Sequence, residues 1–231
     1  MSPSCRLPDG RTVAVAPEAA DRLCAGVVLC GGCRPDAADG AALAAEALGR
    51  DLAVRWAGTP PSAIPGLAEA RDLYKSFGME PTRYRPSSEA LLRRLLQGKG
   101  LYRLGNLVDA CNLASLSFLL PIGMYDLAKV RGDVTLRTGT AGDAYAGIRK
   151  GPVNLEGRLG LFDAEGPFGS PTSDSARTAT DGGTTTVLAV VMATGGYPAA
   201  GMAANLDVFT GLFATHCGAV GRFAAVLGGR P

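Results

Sequence analysis

"NLVDACNLASLSFLLPIGMYDL", residues 106–127, decides how this chain is read. Most of the segment is apolar, but one Asp and two Asn open it, a Pro-Ile-Gly elbow breaks it, and a second Asp nearly closes it. Residues 107–119 read as a helix that is polar where it starts and apolar afterwards. Two readings of the polar residues stay open: structural capping, or the floor of a pocket. Asp109 and Asn112 are residue types that favour helix starts, and Asp126, after the elbow, suits a turn or cap.

Upstream, "SSEALLRRLLQGKG" (87–100) predicts another helix. Ser87 or Ser88 would cap it, Glu89 would sit in its first turn, Leu91, Leu92, Leu95 and Leu96 recur at helical spacing, and Gly98 would end it. The first 60 residues read as an N-terminal lobe: a strand in "RTVAVAP", a buried strand in "AGVVLCGG", and an Ala-rich helix in "DGAALAAEALGR" closed by Gly49. "GTPPSAIPG" (58–66) is a Pro-rich connector but not a boundary between independent domains, so the expectation is one domain over 1–231.

Downstream the texture changes to strands and tight turns. "DVTLRTG" alternates, "AGDAYAGI" follows across a Gly turn, "RLGLFDAEGP" ends in a turn, and "TTTVLAVVMA" is a β-branched, buried strand. The tail, 200–231, is expected to be a helix with Leu206, Phe209, Phe213 and Val220 on one face and His216, the single histidine, near it.

Composition narrows the classes. Of 231 residues, 47% are hydrophobic and 19% charged, an ordinary globular balance rather than a disordered one. The 32 glycines follow no strict period, which excludes collagen and implies many turns and close backbone approaches. The net charge of +2 is not that of a protein that coats nucleic acid. No apolar run approaches the ~20 residues of a membrane helix, and the start lacks the apolar core of a secretory signal, so a soluble, cytoplasmic protein with no membrane partner is expected. Cys30 and Cys33 have CxxC spacing, but with one histidine and no second pair a zinc site lacks ligands; reduced, buried thiols are the expectation. From Arg83 to Arg103, six basic residues (Arg83, Arg85, Arg93, Arg94, Lys99, Arg103) face one acid, Glu89, with Tyr84 and Tyr102 among them. That pattern reads either as a track for an RNA backbone or as a solvated helix face.

Four segments taken together carry a resemblance: "RDLYKSFGMEPTRYRPSSEALLRRL", the opening stretch, "LRTGTAGDAYAGI", and "LGLFDAEGPFGSPTSDSARTATDGGTTTVLAV". In this order, over 71–191 or about half the chain, they resemble the B3/B4 domain of the β subunit of phenylalanyl-tRNA synthetase and, more closely, its free-standing bacterial relatives. The resemblance implies an α+β fold, a β-sandwich-like core of unusual topology flanked by helices. It also implies an editing pocket that hydrolyses tyrosine wrongly esterified to the phenylalanine tRNA, lined by an Asn of a Val-Asp-x-x-Asn segment, a Pro-Leu-His-Ala-Phe-Asp loop and an acidic residue of a Gly-rich loop.

Carried onto this chain, Asp109 and Asn112 match the first segment, with Cys111 where the family usually has Thr. Pro121 to Asp126 matches the loop, with Gly123 in place of its His and Met124 and Tyr125 in place of Ala and Phe. Asp174, in Asp174-Ser175-Ala176-Arg177, is the nearest acid to the third position. The resemblance therefore implies Asn112, Asp174 and Ser175 as catalytic candidates. Asp109, Cys111, Gly123, Met124, Gly166, Gly169 and Arg177 are the substrate-binding candidates, with Arg177 expected either to hold Asp174 in place or to meet a terminal phosphate; Arg83, Arg85, Arg93, Arg94 and Lys99, from the basic run, are the RNA-binding ones.

Ester hydrolysis at such a site needs little more than an ordered water and donors for the oxyanion, for which backbone N–H groups of "EGPFGS" (165–170) are the candidates. Three function classes stay open: a stand-alone editing hydrolase acting on an aminoacylated tRNA end, a non-catalytic module binding RNA or an amino-acid-like ligand, and a pocket recruited to other small-molecule chemistry. No metal or organic cofactor and no DNA partner is implied.

Overall fold

A computed structural model describes residues 2–36, 38–148 and 151–231. In chain order its elements are β1 (Ser4–Arg6), β2 (Thr12–Val15), the single turn α1 (Pro17–Ala20), β3 (Leu23–Gly31), α2 (Gly40–Arg55), α3 (Pro65–Ser76), α4 (Ser87–Leu96), α5 (Asn106–Phe118), β4 (Ile122–Asp126) and β5 (Val134–Thr138). They continue with β6 (Ala144–Ala146), β7 (Pro152–Asn154), β8 (Leu159–Asp163), β9 (Gly166–Ser170), β10 (Ser173–Asp174), β11 (Thr186–Thr194), α6 (Ala199–Cys217) and β12 (Gly221–Leu227).

The long apolar runs β3 and β11 are buried on both faces because they form the middle of an antiparallel sheet ordered β12-β3-β11-β4. Side chains alternate across a strand. Leu23, Ala25, Val27, Leu29, Leu188, Val190 and Met192 accordingly pack toward a second sheet, ordered β1-β2-β5-β8-β9-β10, whose Val13, Val15, Leu136, Leu161 and Phe168 complete that core. The alternate residues, among them Cys24, Val28, Cys30, Val187, Ala189 and Val191, pack against α5 and α6. A third apolar cluster joins α2 and α4 to α5 through Ala45, Leu52, Leu92, Leu113 and Leu116. The architecture is α+β: two facing sheets and a two-stranded β6-β7 ribbon, with α2, α4, α5 and α6 on one outer side and α3 contributing Leu73 and Tyr74 to the core between the sheets.

Four local expectations are corrected. The first 60 residues are not a lobe: β3 is a central strand of one sheet and β2 pairs in parallel with β5 of the other. Gly49 does not close its helix, which runs on to Arg55; the residue is buried, and a Cβ there would lie 2.5 Å from Leu95 Cδ1, so it serves the close approach of α4 to α2. Neither Ser87 nor Ser88 caps α4: Pro86 holds the cap position, and the Ser88 hydroxyl is buried without a partner. The tail is not helical throughout. Gly218 takes a left-handed conformation after Cys217, Val220 is 81% exposed, and the chain returns as β12 beside β3.

No helix among the described residues is long and apolar enough to cross a membrane.

Candidate functional site

Helix α5 is polar on one side because that side faces open space. Val108, Cys111, Asn112 and Ser115, at the i, i+3, i+4, i+7 spacing of a single helix face, line a cavity of about 450 Å³. Ile122 and Met124 of β4, two apart and hence on one face of the strand, form its floor; Ser87 and Leu91 of α4, Leu104, Ile148, Ala179 and Thr180 complete the wall, and Asp174 of β10 enters from the other sheet. The volume is within the usual range for small-molecule sites, as is the mix of apolar wall and few polar groups.

Asp174 is the unusual group. The residue is half-buried at the edge of the cavity, and burial pushes its pKa up to about 7 against the opposing pull of the Met124 backbone N–H. Around it stand the hydroxyls of Tyr74, Tyr125 and Tyr145, all displaced upward by burial. Tyr74 donates to the Pro171 carbonyl at 2.5 Å, and Tyr145 bonds both the Ser173 carbonyl and the Ser170 hydroxyl. The Cys111 thiol beside the cavity is held in the neutral form, chiefly by burial.

Of the residues expected from sequence, Asn112, Asp174, Cys111 and Met124 meet at this cavity although 62 positions separate Asn112 from Asp174. The others lie elsewhere. Asp109 is turned off the cavity face and is 3% exposed; Gly105 holds the cap position of α5, so neither Asp109 nor Asn112 caps it, and the Asp109 carboxylate instead accepts from the Leu104 N–H of the preceding loop at 3.2 Å, with burial raising its pKa. Ser175 is buried, and its hydroxyl accepts from the Arg177 N–H at 3.1 Å in a local turn. Arg177 does not hold Asp174. It forms a two-pronged pair with Asp163 at 3.0 and 2.9 Å and also reaches Glu165.

Gly166 lies in the β8–β9 hairpin with φ of +112° and open space where a Cβ would point, so "EGPFGS" is a hairpin arm rather than a cradle at the cavity. Gly123 and Gly169 share a different reason for being glycine. A Cβ at either position would lie 2.2 or 2.1 Å from the Tyr125 hydroxyl, which is fully buried between them without a hydrogen-bond partner. Gly123 therefore makes room for Tyr125 and points away from the cavity face of β4. Asp126 caps the turn at 127–129 through the Ala128 N–H and accepts from Thr184.

The basic segment is divided. Arg71, Arg85 and Arg93 converge on Glu89, whose side chain is fully buried, with Arg71 at 2.7 Å and Arg93 at 3.3 Å. Arg94 folds onto the Gly100 carbonyl and the Tyr102 ring, and Arg103 pairs with Asp39. Arg83 and Arg85 instead border a separate cavity with Tyr84 and Arg158. Lys99 lies with Arg50 and Glu46 at a shallow depression between α2 and the end of α4.

All six cysteines are free, five of them buried. Burial pushes Cys30 up to about 12 and Cys33 to about 11, so both are neutral thiols, and among the described residues no group of three or more His, Cys, Asp or Glu is arranged to hold a metal ion. Sequence reasoning missed Val108, Ser115 and Ile122. Helical spacing from Asn112 and alternation from Met124 were the signals that identify them.

A family model described as B3/4 domain matches residues 69–208. Among solved structures, the chain is similar to an N-terminal fragment of the phenylalanyl-tRNA synthetase β subunit from Pyrococcus horikoshii, at 14% identity and a TM-score of 0.47, with 93% of this chain and 53% of that chain covered. The chain thus spans about half the length of that fragment. No curated protein matches it.

Proposed function

We propose, from the premise that the chain belongs to the B3/4 domain family, that it binds the aminoacylated end of a tRNA and hydrolyses a wrongly attached amino acid from it. The observation that carries this reading is the meeting of Asn112 and Asp174 in one largely apolar cavity, with the Asp174 carboxyl brought to about 7. A general base is most effective when its pKa lies near the working pH.

In this mechanism the ionised Asp174 takes a proton from a water molecule as the water oxygen attacks the ester carbonyl. The Asn112 amide donates to the oxygen on which charge develops. The C–O ester bond then breaks, and the protonated Asp174 returns its proton to the departing ribose oxygen, giving free amino acid and a free tRNA hydroxyl. The wall of Leu91, Leu104, Val108, Ile122 and Met124 selects an apolar or aromatic amino-acid side chain.

The test is deacylation of tyrosyl-tRNA of the phenylalanine acceptor beside a panel of other mischarged tRNAs. Acceleration that climbs with pH to a plateau above about 7, and is lost in Asp174→Asn and Asn112→Ala, supports the reading. No acceleration across the panel by folded protein sinks it. One observation favours the alternative, a module that binds the same end without turnover: the backbone donors expected from "EGPFGS" lie in a hairpin away from the cavity, leaving Asn112 as the oxyanion donor.

A further inference from the structure

A second cavity, of about 480 Å³, backs onto the first. Its wall includes Arg83, Tyr84 and Arg85 from the segment joining α3 to α4, Arg158 from the turn before β8, and Thr172 and Ser173. Ser173 borders this cavity and Asp174 the apolar one; Arg85 borders this one and Ser87 the other. Neighbouring residues are about 3.8 Å apart between Cα atoms, so the two cavities open on either side of the same short pieces of chain.

The charge is one-sided. Among the described residues no carboxylate is in the wall. Of the three arginines, again among the described residues, Arg85 alone has an acidic partner, Glu89 at 3.8 Å, and that carboxylate is held more closely by Arg71 and Arg93. Two acids close by in sequence are engaged or turned out: Glu80 accepts from the Thr82 hydroxyl, and Glu156 is exposed on the turn after β7.

Two of the arginines are placed around a ring. Arg158 donates to the Tyr84 hydroxyl at 2.9 Å with its guanidinium 4.4 Å from the ring centre, and Arg83 stands 5.4 Å from the same ring. Guanidinium forks match phosphate oxygens in geometry as well as charge, and a concave site of one sign concentrates the opposite charge. Arg158 has no place in the basic run of 83–103; the fold brings it there.

We propose that this three-arginine cavity is a subsite for a phosphodiester of the RNA strand whose esterified end enters the apolar cavity. The proposal rests on the editing reading for the identity of that strand. The strand would lay its last phosphates on Arg83, Arg85 and Arg158, pass over the Ser173–Asp174 edge, and present its ester to Asp174.

Fluorescence anisotropy with uncharged tRNA at several salt concentrations tests this. Removing two charge-assisted interactions in Arg83→Gln/Arg158→Gln is expected to weaken binding about a hundredfold or more. The slope of log K against log salt should also fall by about 0.7 for each single-strand phosphate left without its arginine. Arg83→Gln alone, at an exposed residue, gives a smaller loss in the same direction without disturbing Tyr84, and Arg83→Lys recovers the slope but not the whole affinity. Double-variant protein with a normal thermal melt and wild-type affinity and slope overturns the subsite while leaving the editing reading intact. Wild-type protein with no tRNA affinity and no deacylation overturns both. Wild-type protein stabilised by adenosine monophosphate through these arginines, but without affinity for RNA, overturns the RNA source and assigns the cavity to a free phosphate ester.

Discussion

Strand β4 has two faces that obey opposite rules. Ile122 and Met124 look into the open cavity, where side chains have room and the neighbours are α5 and Asp174. Gly123 and Tyr125, one residue out of step, look into a closed seam where the Tyr125 ring meets Phe168 edge-on at 4.9 Å and its hydroxyl is wedged between two glycines. A motif read as one loop is therefore two structures interleaved at a period of two. Positions on the open face are free to answer to a ligand. Those on the closed face answer to packing.

The largest effect expected is on the open side. In the proposed reaction Asp174→Asn keeps the shape and removes the base, so the rate of aminoacyl-ester hydrolysis should fall by about 10²–10⁴; a variant with full activity would take Asp174 out of the chemistry.

The same carboxyl carries a stability signature that does not depend on any substrate. Its folded pKa of about 7 exceeds the ordinary value of 3.8, so between those pH values the folded state holds a proton that the unfolded state has released. The associated stability is fully present below about pH 4, declines as pH rises, and is gone above about 7, by at most about 4 kcal/mol. Urea titrations at about pH 5 and about pH 8, on either side of most of that window, should show this decline in the wild type and much less of it in Asp174→Asn.

On the closed side, Gly169→Ala places a Cβ 2.1 Å from the Tyr125 hydroxyl and should destabilise by about 3 kcal/mol, read as a fall in the urea midpoint. A near-neutral result would mean that the seam is not closed. Tyr125→Phe is expected to go the other way, raising stability by about 1 kcal/mol by removing a buried hydroxyl without a partner; a loss would reveal a partner, such as a buried water. Met124→Leu, a volume-conserving change on the open face, should cost less than about 1.5 kcal/mol and alter substrate preference more than stability.

Much of the fold was legible because the signals were local. The apolar runs of β3 and β11, the helical spacing of α4 and α5, and the Pro-rich connector all lie where the pattern places them. What failed depended on contacts distant in sequence. Gly49 looks like a helix stop but is a packing notch for Leu95, and Arg177 looks like a companion of Asp174 but is captured by Asp163. At the site, Asn112 and Asp174 were identified through resemblance, whereas the raised pKa of Asp174 comes from burial by segments that no spacing rule brings together. The tail misled for a simpler reason: the helical pattern was extended past Gly218, although glycine in the left-handed conformation commonly ends a helix.

The wedge of Tyr125 between Gly123 and Gly169 also constrains the order in which this protein could change. While Tyr125 is in place, any side chain at 123 collides with it, so a histidine there must be preceded, or accompanied, by a smaller residue at 125. Once 125 is small, both glycine positions are released together. A mutational path from this strand to one that carries a side chain at 123 therefore passes through a change at residue 125, on the closed face rather than at the cavity.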